Sequence, residues 1–419
     1  MHDFQYKEDE LYCEGIPIST IAERVGTPFY LYSYNTLLNH FRVFDSAFSA
    51  VEHLVCFSVK ANSNIAVLKT FINEGGGVDI VSGGELFRVL IAGADPKKIV
   101  CSGVGKKFDE IEFALQTDIL MFNIESTQEL EVIDSVAGKL GKKPRVAFRI
   151  NPNIDPKTHP YISTGLKANK FGIDIKRSLN EYRHASKLKN IDIVGVDCHI
   201  GSQITDVEPF VDALERIKEL ILELQKEGID INYLDLGGGL GITYDEETPP
   251  HPNMYAKAII EEISDLSCVL ILEPGRVIVG NAGILVTKVL YTKNGEEKNF
   301  VIVDAGMNDL IRPSLYGSFQ GIQPVRSVES NRFVADMVGP ICESGDFFAK
   351  NRTMPQFERG DLVAIMSAGA YGFTMSSNYN SRPRVPEVMV AGDKFHIIRE
   401  REEYDDLIKG ERIPEFLRR

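Results

Sequence analysis

The chain has 419 residues, 43% of them hydrophobic and 25% charged, enough for two domains and a large buried core. Its formal net charge of −14 excludes a general nucleic-acid binder, which needs a basic stripe, yet admits an anionic small molecule, because a few arginines reverse the local potential in a cleft. No apolar run approaches the roughly 18 residues of a membrane helix, the start lacks a signal pattern, and the six scattered cysteines without a C-x-x-C pair suit a reducing cytoplasm.

From about residue 36 to 282, short apolar runs alternate with helix-period segments. The expected strands are 55–60, 78–82, 99–103, 119–124, 145–150, 191–199, 231–236 and 269–273. The clearest helix is 208–227, where Phe210, Val211, Leu214, Ile217, Leu220, Ile221 and Leu224 form one apolar stripe. Eight β-then-α units in series predict an α/β fold, a closed (β/α)8 TIM barrel; an open doubly wound sheet is the competitor.

Side-chain alternation says which face of each strand looks inward. In 55–60, Val55, Phe57 and Val59 oppose Cys56, Ser58 and Lys60; in 191–199, Val194, Val196 and Cys198 oppose Gly195, Asp197 and His199. In 145–151, Val146, Phe148 and Ile150 oppose Ala147, Arg149 and Asn151. Asp79 and Glu273 likewise oppose their apolar neighbours. The apolar face suits the helix ring. The other turns polar at the C-terminal strand ends, where barrel enzymes keep their chemistry.

After about residue 283 the pattern becomes β with turn signals: 284–306 reads as a hairpin around Asn294-Gly295, and 387–402 as another around Gly392-Asp393, with strands at 333–340 and 361–369 between. The expected domains are therefore the barrel at 36–282, and a mostly-β, barrel- or sandwich-like domain from 283–419 joined by 1–35.

Three stretches carry candidate chemistry. "LDLGGGLGI" (234–242) ends a strand with four glycines in six positions, which is either a tight turn or a backbone cradle for phosphate. "EPGR" puts Glu273 and Arg276 at the next strand end, as an internal ion pair or as site residues. "DCHIGSQ" sets His199 inward, with Ser202 beyond it. No metal site is expected, because no second histidine lies at ligand spacing and His159 sits in a proline-flanked loop. A strand-end lysine, a phosphate cradle and an inward carboxylate suggest a phosphate-carrying cofactor without naming it.

The stretches "FSVKAN" (57–62), "VDIVSGGEL" (78–86), "CHIGSQ" (198–203), "LDLGGGLGI", "EPGR", "DAGMNDLIRPSLYG" (304–317), "GPICESGD" (339–346) and "SAGAYGFTMSSNYNSRP" (367–383) together resemble the alanine-racemase-like, fold-type III pyridoxal-phosphate enzymes. Within that family they resemble the branch that decarboxylates meso-diaminopimelate to L-lysine, over essentially the whole chain. The resemblance implies pyridoxal 5'-phosphate held by Lys60, with Glu273 at the pyridine nitrogen and His199 on the ring face. It implies phosphate binding by Ser202, Gly238, Gly239 and the Pro274, Gly275 and Arg276 backbone. It also implies a homodimer with shared sites, in which Cys342 of the partner subunit acts as proton donor. Arg276, Arg312, Tyr316, Glu343 and Tyr371 would bind substrate, Tyr371 also lying near the cofactor, and loop 157–172 would close over the site.

The alternative is a related decarboxylase of ornithine, arginine, carboxynorspermidine or carrier-bound glutamate. The Arg312, Tyr316 and Glu343 set argues against those substrates, which lack a second amino-acid group.

Overall fold

The computed structural model describes residues 2–155, 169–327 and 331–418. The chain divides into two compact units, Leu37–Gly280 and Met1–Thr36 with Asn281–Arg419. Among the described residues no helix is long and apolar enough to cross a membrane.

The first unit is a closed parallel barrel. Its eight strands are His53–Ser58, Gly77–Ile80, Ile99–Cys101, Met121–Ile124, Arg145–Asn151, Asp192–Asp197, Tyr233–Asp235 and Val269–Leu272, each pairing with the next and the last with the first. Helices follow the strands. Glu208–Lys226 buries Phe210, Leu214, Ile217, Ile221 and Leu224, the stripe its spacing predicts. Several helices begin on a side-chain cap, as where Ser82 accepts from Glu85 N–H and Ser126 from Glu129 N–H.

Strand registers set what fills the barrel. One row runs Ser58–Asp79–Val100–Met121, another Arg149–Asp197–Asp235–Ile271–Leu54. At the N-terminal end an apolar plug of Cys56, Val100, Leu120, Met121, Ala147, Val194 and Ile271 closes the interior. Ser58, Asp79, Arg149, Asp197 and Asp235 stand at the opposite, C-terminal ends of their strands. The inward face thus changes from apolar to charged along its length.

Two expectations need correcting. Val194, expected on the helix-facing side, packs in the interior plug, because the register slips between Ile193 and Gly195 and the bulge adds a residue there. Lys60, expected to end its strand, lies past it: pairing stops at Ser58, and Val59–Ala61 is a single 3-10 turn.

The second unit is mostly β. Its large sheet is ordered Phe347–Pro355, Arg332–Val338, Asn299–Val303, Gly283–Asn294, Phe29–Ser33, Glu387–Ala391, Lys394–Arg399. The N-terminal strand Phe29–Ser33 is central, between Gly283–Asn294 and Glu387–Ala391, so residues before 37 fold with the C-terminal ones. The Gly392-Asp393 turn is a two-residue connection, with Ala391 opposite Lys394 and Gly392 at φ +63°. A three-stranded sheet, Phe4–Lys7, Glu10–Cys13 and Ile16–Pro17, adds to the core through Leu11, Cys13 and Ile16.

Candidate active site

At the C-terminal mouth of the barrel, the turn after the first strand delivers Lys60. Its Nζ donates to Asp79 Oδ2 at 2.5 Å and to Ser58 Oγ at 3.1 Å. Asp79 is fully buried, whereas the Lys60 side chain is 35% exposed, so a buried carboxylate anchors a side chain that reaches the barrel mouth. Ser58 joins this group to the last strand: its Oγ lies 3.1 Å from the Glu273 carbonyl, and its N–H donates to Pro274 O at 3.0 Å.

Glu273 follows the eighth strand and is buried, with Ser102 Oγ donating to Oε1 at 3.2 Å and Asn123 Nδ2 3.4 Å from the same oxygen. Burial, and then the nearby Asp79 carboxylate, raises its pKa to about 7, although Lys60 pulls it down. Two cation pairs organise the surroundings. Arg149 donates to Glu125 Oε1 at 2.8 Å, and Lys106, almost wholly buried, meets Glu129 Oε1 at 2.6 Å and the Asn123 carbonyl at 2.7 Å. The second pair ties the third and fourth strand ends together.

His199 sits just past the sixth strand. Its Nδ1 accepts from Gly238 N–H at 3.3 Å, which leaves the proton of the neutral ring on Nε2. Burial, then Arg149 and Lys60, pushes its pKa well below the ordinary histidine value, so the ring is neutral. The glycine run is required here. Gly237 has φ +61°, and a Cβ on it would lie 2.7 Å from His199 Nδ1; a Cβ on Gly238 would lie 2.2 Å from the Glu273 carbonyl oxygen.

Arg276 begins the short helix Arg276–Val279 and is buried. Its Nη2 donates to Ser202 Oγ at 3.0 Å and its Nη1 to Tyr244 Oη at 2.6 Å. Gly275 packs close beneath the Lys60 turn, where a Cβ would meet Ala61 Cβ at 3.0 Å and Ser58 Cβ at 3.1 Å. The barrel thus brings together Lys60, His199, Ser202, Gly238, Gly239, Glu273, Pro274, Gly275 and Arg276, all predicted from sequence. Ser58, Asp79, Ser102, Asn123, Asp235 and Tyr244 complete the site and were not singled out as site residues. For all but Tyr244, which lies in the loop after the seventh strand, the signal is a polar side chain at or near an inward strand end, as in "LMFNI" and "LDLGGG".

The remaining candidates stand in the second unit. Arg312 and Tyr316 are the first and last residues of the helix Arg312–Tyr316, Arg312 buried and Tyr316 half-buried. With the Gln320 amide set so that its nitrogen donates to Met366 O (2.6 Å), its oxygen accepts from Arg312 Nη1 (3.3 Å). Cys342 and Glu343 are exposed on the loop 339–346. Asp346 shapes that loop, its Oδ1 accepting from Met307 N–H at 2.6 Å and its Oδ2 from Ile341 N–H at 2.7 Å. Ser314 Oγ donates to Gly345 O and so ties the helix to the loop, while Cys342 N–H donates to Asn380 Oδ1 at 2.8 Å. Tyr371 follows the strand Leu362–Ile365 in a left-handed conformation, φ +56°. Of loop 157–172, with His159, only 169–172 lies among the described residues.

The residues fit pyridoxal phosphate. A compact glycine loop lies where any side chain would fill the space, and a lysine amine stands at the same barrel mouth. Asp79 Oδ1 and Asp197 Oδ1 are buried without a hydrogen-bond partner among the described residues, so the floor favours a cationic group such as a protonated pyridine nitrogen.

Comparison with known proteins agrees. Residues 34–280 match the pyridoxal binding domain of pyridoxal-dependent decarboxylases. Diaminopimelate decarboxylase of Vibrio cholerae serotype O1 is 53% identical across 97% of this chain and 98% of its own, and that of Pseudomonas aeruginosa is 51% identical across 99% of each. Diaminopimelate decarboxylase from Helicobacter pylori, solved with L-lysine, superposes with a TM-score of 0.91 at 44% identity, covering 94% of this chain and 98% of that one. The M. jannaschii enzyme with L-lysine gives 0.94 at 38% identity over 100% of both chains. With that likeness running through both units, the chain belongs to the pyridoxal-dependent decarboxylases, in their diaminopimelate decarboxylase branch.

Proposed function

We propose that the protein removes the carboxylate from one end of meso-diaminopimelate, giving L-lysine and CO2, with pyridoxal 5'-phosphate as cofactor. The observation that carries this is the Lys60 amine, held by Asp79 and Ser58 beside Glu273, His199 and the 237–239 glycine loop. When bound, the cofactor supplies an aldehyde for the amine and a ring that accepts the electron pair left as CO2 departs.

The chain's own residues do the rest. Lys60, pinned by Asp79, presents its amine in one place. Glu273, buried among carboxylates, would favour a proton on a ring nitrogen placed against it. A neutral His199 offers an uncharged ring as a stacking face, and the fixed tautomer keeps Nε2–H on the edge away from Gly238. Ser202, Gly238, Gly239 and the Pro274–Arg276 segment would hold the phosphate.

Substrate recognition follows from charge. A molecule with an amino-acid group at each end needs one end gripped while the other reacts. Arg276 and Arg312 would serve as forks for carboxylates and Glu343 as a partner for the distal ammonium, with Tyr316 and Tyr371 as further substrate-binding residues. Cys342 Sγ is the proton donor to the carbon that loses CO2. Its exposure on a loop suits delivery into a neighbouring copy, so the working unit is a homodimer with shared sites, into which Cys342 of the partner subunit is delivered. All six cysteines are free thiols, which suits the cytoplasm.

Two experiments test this. The purified protein should be yellow and release CO2 from meso-diaminopimelate ahead of ornithine, arginine and carboxynorspermidine. Colour without CO2 from that substrate would refute the activity. Mixing Lys60→Ala and Cys342→Ala chains, each inactive, should regain part of the activity. No recovery despite confirmed mixing would refute the shared site.

A further inference from the structure

Beneath Glu273 lies a buried polar cluster that the proposed chemistry does not use. Asp235 ends the seventh strand and is fully buried. Its Oδ1 accepts from Gly237 N–H at 2.9 Å and its Oδ2 from Asn123 Nδ2 at 2.9 Å. The same Asn123 nitrogen lies 3.4 Å from Glu273 Oε1 and 3.1 Å from Ser102 Oγ. One amide nitrogen, Asn123 Nδ2, thus bridges Asp235 Oδ2 and Glu273 Oε1 and brings the two carboxyls together. Two buried carboxyls this close, sharing one neutral donor, are disfavoured as a doubly ionised pair, which favours one proton between them.

The surrounding charges favour keeping it. Five carboxyls face this space, Asp79, Glu125, Asp197, Asp235 and Glu273, with the Cys56 thiol below them. The cations are Lys60, committed to Asp79, and Arg149, committed to Glu125. Among the described residues no ion pair joins Asp197, Asp235 or Glu273 to a cation, although Arg149 acts on Asp197 and both cations act on Glu273 from further away. Burial, and after it the neighbouring carboxylates, pushes both members of the pair up.

We propose that Asp235 and Glu273 form a one-proton carboxyl pair that supplies the proton for the cofactor's ring nitrogen as the cofactor binds, with Asp235 as the positioning residue. This rests on the reading of Glu273 as the ring-nitrogen partner. The O–H bond within the pair breaks and an N–H bond forms on the ring nitrogen. Both carboxylates are then ionised against one new cation, so the net charge is unchanged and water supplies no proton. Asp235 also fixes Gly237, and through the glycine loop Gly238 and His199, so one buried side chain sets the ring-nitrogen partner, the loop and the stacking histidine.

Asp235→Asn separates this role from a merely structural one. The amide keeps the acceptor for Gly237 N–H and donates to Glu273, which then stays ionised, so the ring-nitrogen proton must come from solvent. The measurement is calorimetric titration of pyridoxal phosphate into the full, cofactor-free chain at pH 8, in two buffers of different ionisation heat. Steps common to both proteins cancel in the difference. Asp235→Asn should take up about one proton more than the wild type, and its Kd should weaken with rising pH over a range where the wild type's stays level. Equal uptake overturns the proposal. The infrared difference spectrum of the wild type on cofactor addition needs no variant: a protonated-carboxyl band should vanish, and an unchanged band overturns the proposal. Failure of the wild type to bind the cofactor at all sinks the decarboxylase reading as well, whereas normal binding with equal uptake sinks this inference alone.

Discussion

Gly238→Ala tests whether the glycine loop is a fitted part of the site or an incidental turn. The new methyl would sit 2.2 Å from the Glu273 carbonyl oxygen and 3.1 Å from its carbon. Neither side can yield cheaply, because both are backbone. Glu273 N–H is bonded to Gly237 O at 2.7 Å, and Ser58 Oγ lies 3.1 Å from the Glu273 carbonyl. Overpacking a rigid site costs about 1–3 kcal/mol, and a backbone-to-backbone clash belongs at the upper end, so we take ~3 kcal/mol. If the loop stays put, the loss appears in unfolding free energy. If it moves, the loss appears in cofactor affinity, where ~3 kcal/mol is a weakening of roughly 150-fold. Urea unfolding of the cofactor-free chain and a pyridoxal phosphate titration should together recover that sum. The control is Gly228→Ala, in the turn after the helix Glu208–Lys226, with φ +78° and nothing within 4 Å of the new Cβ. It should cost about 1 kcal/mol of stability through backbone strain and leave cofactor affinity alone. If Gly238→Ala changes neither quantity by more than the control does, the loop is not the close-fitting cradle described above.

Arg276→Lys cannot reach Ser202 and Tyr244 together, so a charged hydrogen bond is lost and kcat/KM should fall about 10- to 150-fold with folding intact. Asp346→Ala leaves the Met307 and Ile341 N–H groups without their acceptor; it should cost roughly 2–5 kcal/mol and abolish CO2 release while the colour remains, as seen by visible absorbance beside a CO2 assay. Asp309, buried in the second unit, has its carboxyl raised to about 7, chiefly by burial. A carboxyl raised on folding binds more protons folded than unfolded, so its contribution is intact at low pH and is lost as pH rises through about 7. Unfolding free energy should therefore fall between pH 5 and 8, and the fall should be shallower in Asp309→Asn, as followed by urea titration at each pH.

Much of the barrel was legible because a parallel strand covered by helices must alternate between two faces. The inward face of Cys56 and Ser58, of Asp79 and of Ala147 and Arg149 could be read from period two alone. Val194 was not legible. A bulge adds one residue without changing composition, and nothing in "IDIVGVDCH" marks where the count slips. The end of the Lys60 strand failed for a related reason. Phase continues to assign faces after pairing has stopped, so Val59 and Lys60 looked like strand residues although they form a turn. The assignment of function survived because a turn just beyond a strand end still points into the barrel mouth.

The buried network shows a deeper limit. Lys60 and Glu273 can be singled out in the sequence because each is a charged residue ending an apolar run. Asn123 and Asp235 look equally out of place in theirs, and Ser102 is inconspicuous; their meaning depends on which strand lies beside which. Asp235 is in register with Asp197 on one side and Ile271 on the other, so its carboxyl comes beneath Glu273, two residues past Ile271 on the neighbouring strand. Register in a closed barrel is a property of the whole ring. A carboxyl pair built across it is therefore encoded in the sum of all eight strand pairings and in none of the segments that contribute to it. The charge of a site of this kind is read from three-dimensional neighbours: Asp79 is matched by Lys60, Glu125 by Arg149, and the remaining carboxyls are left to hold a proton where the cofactor needs one.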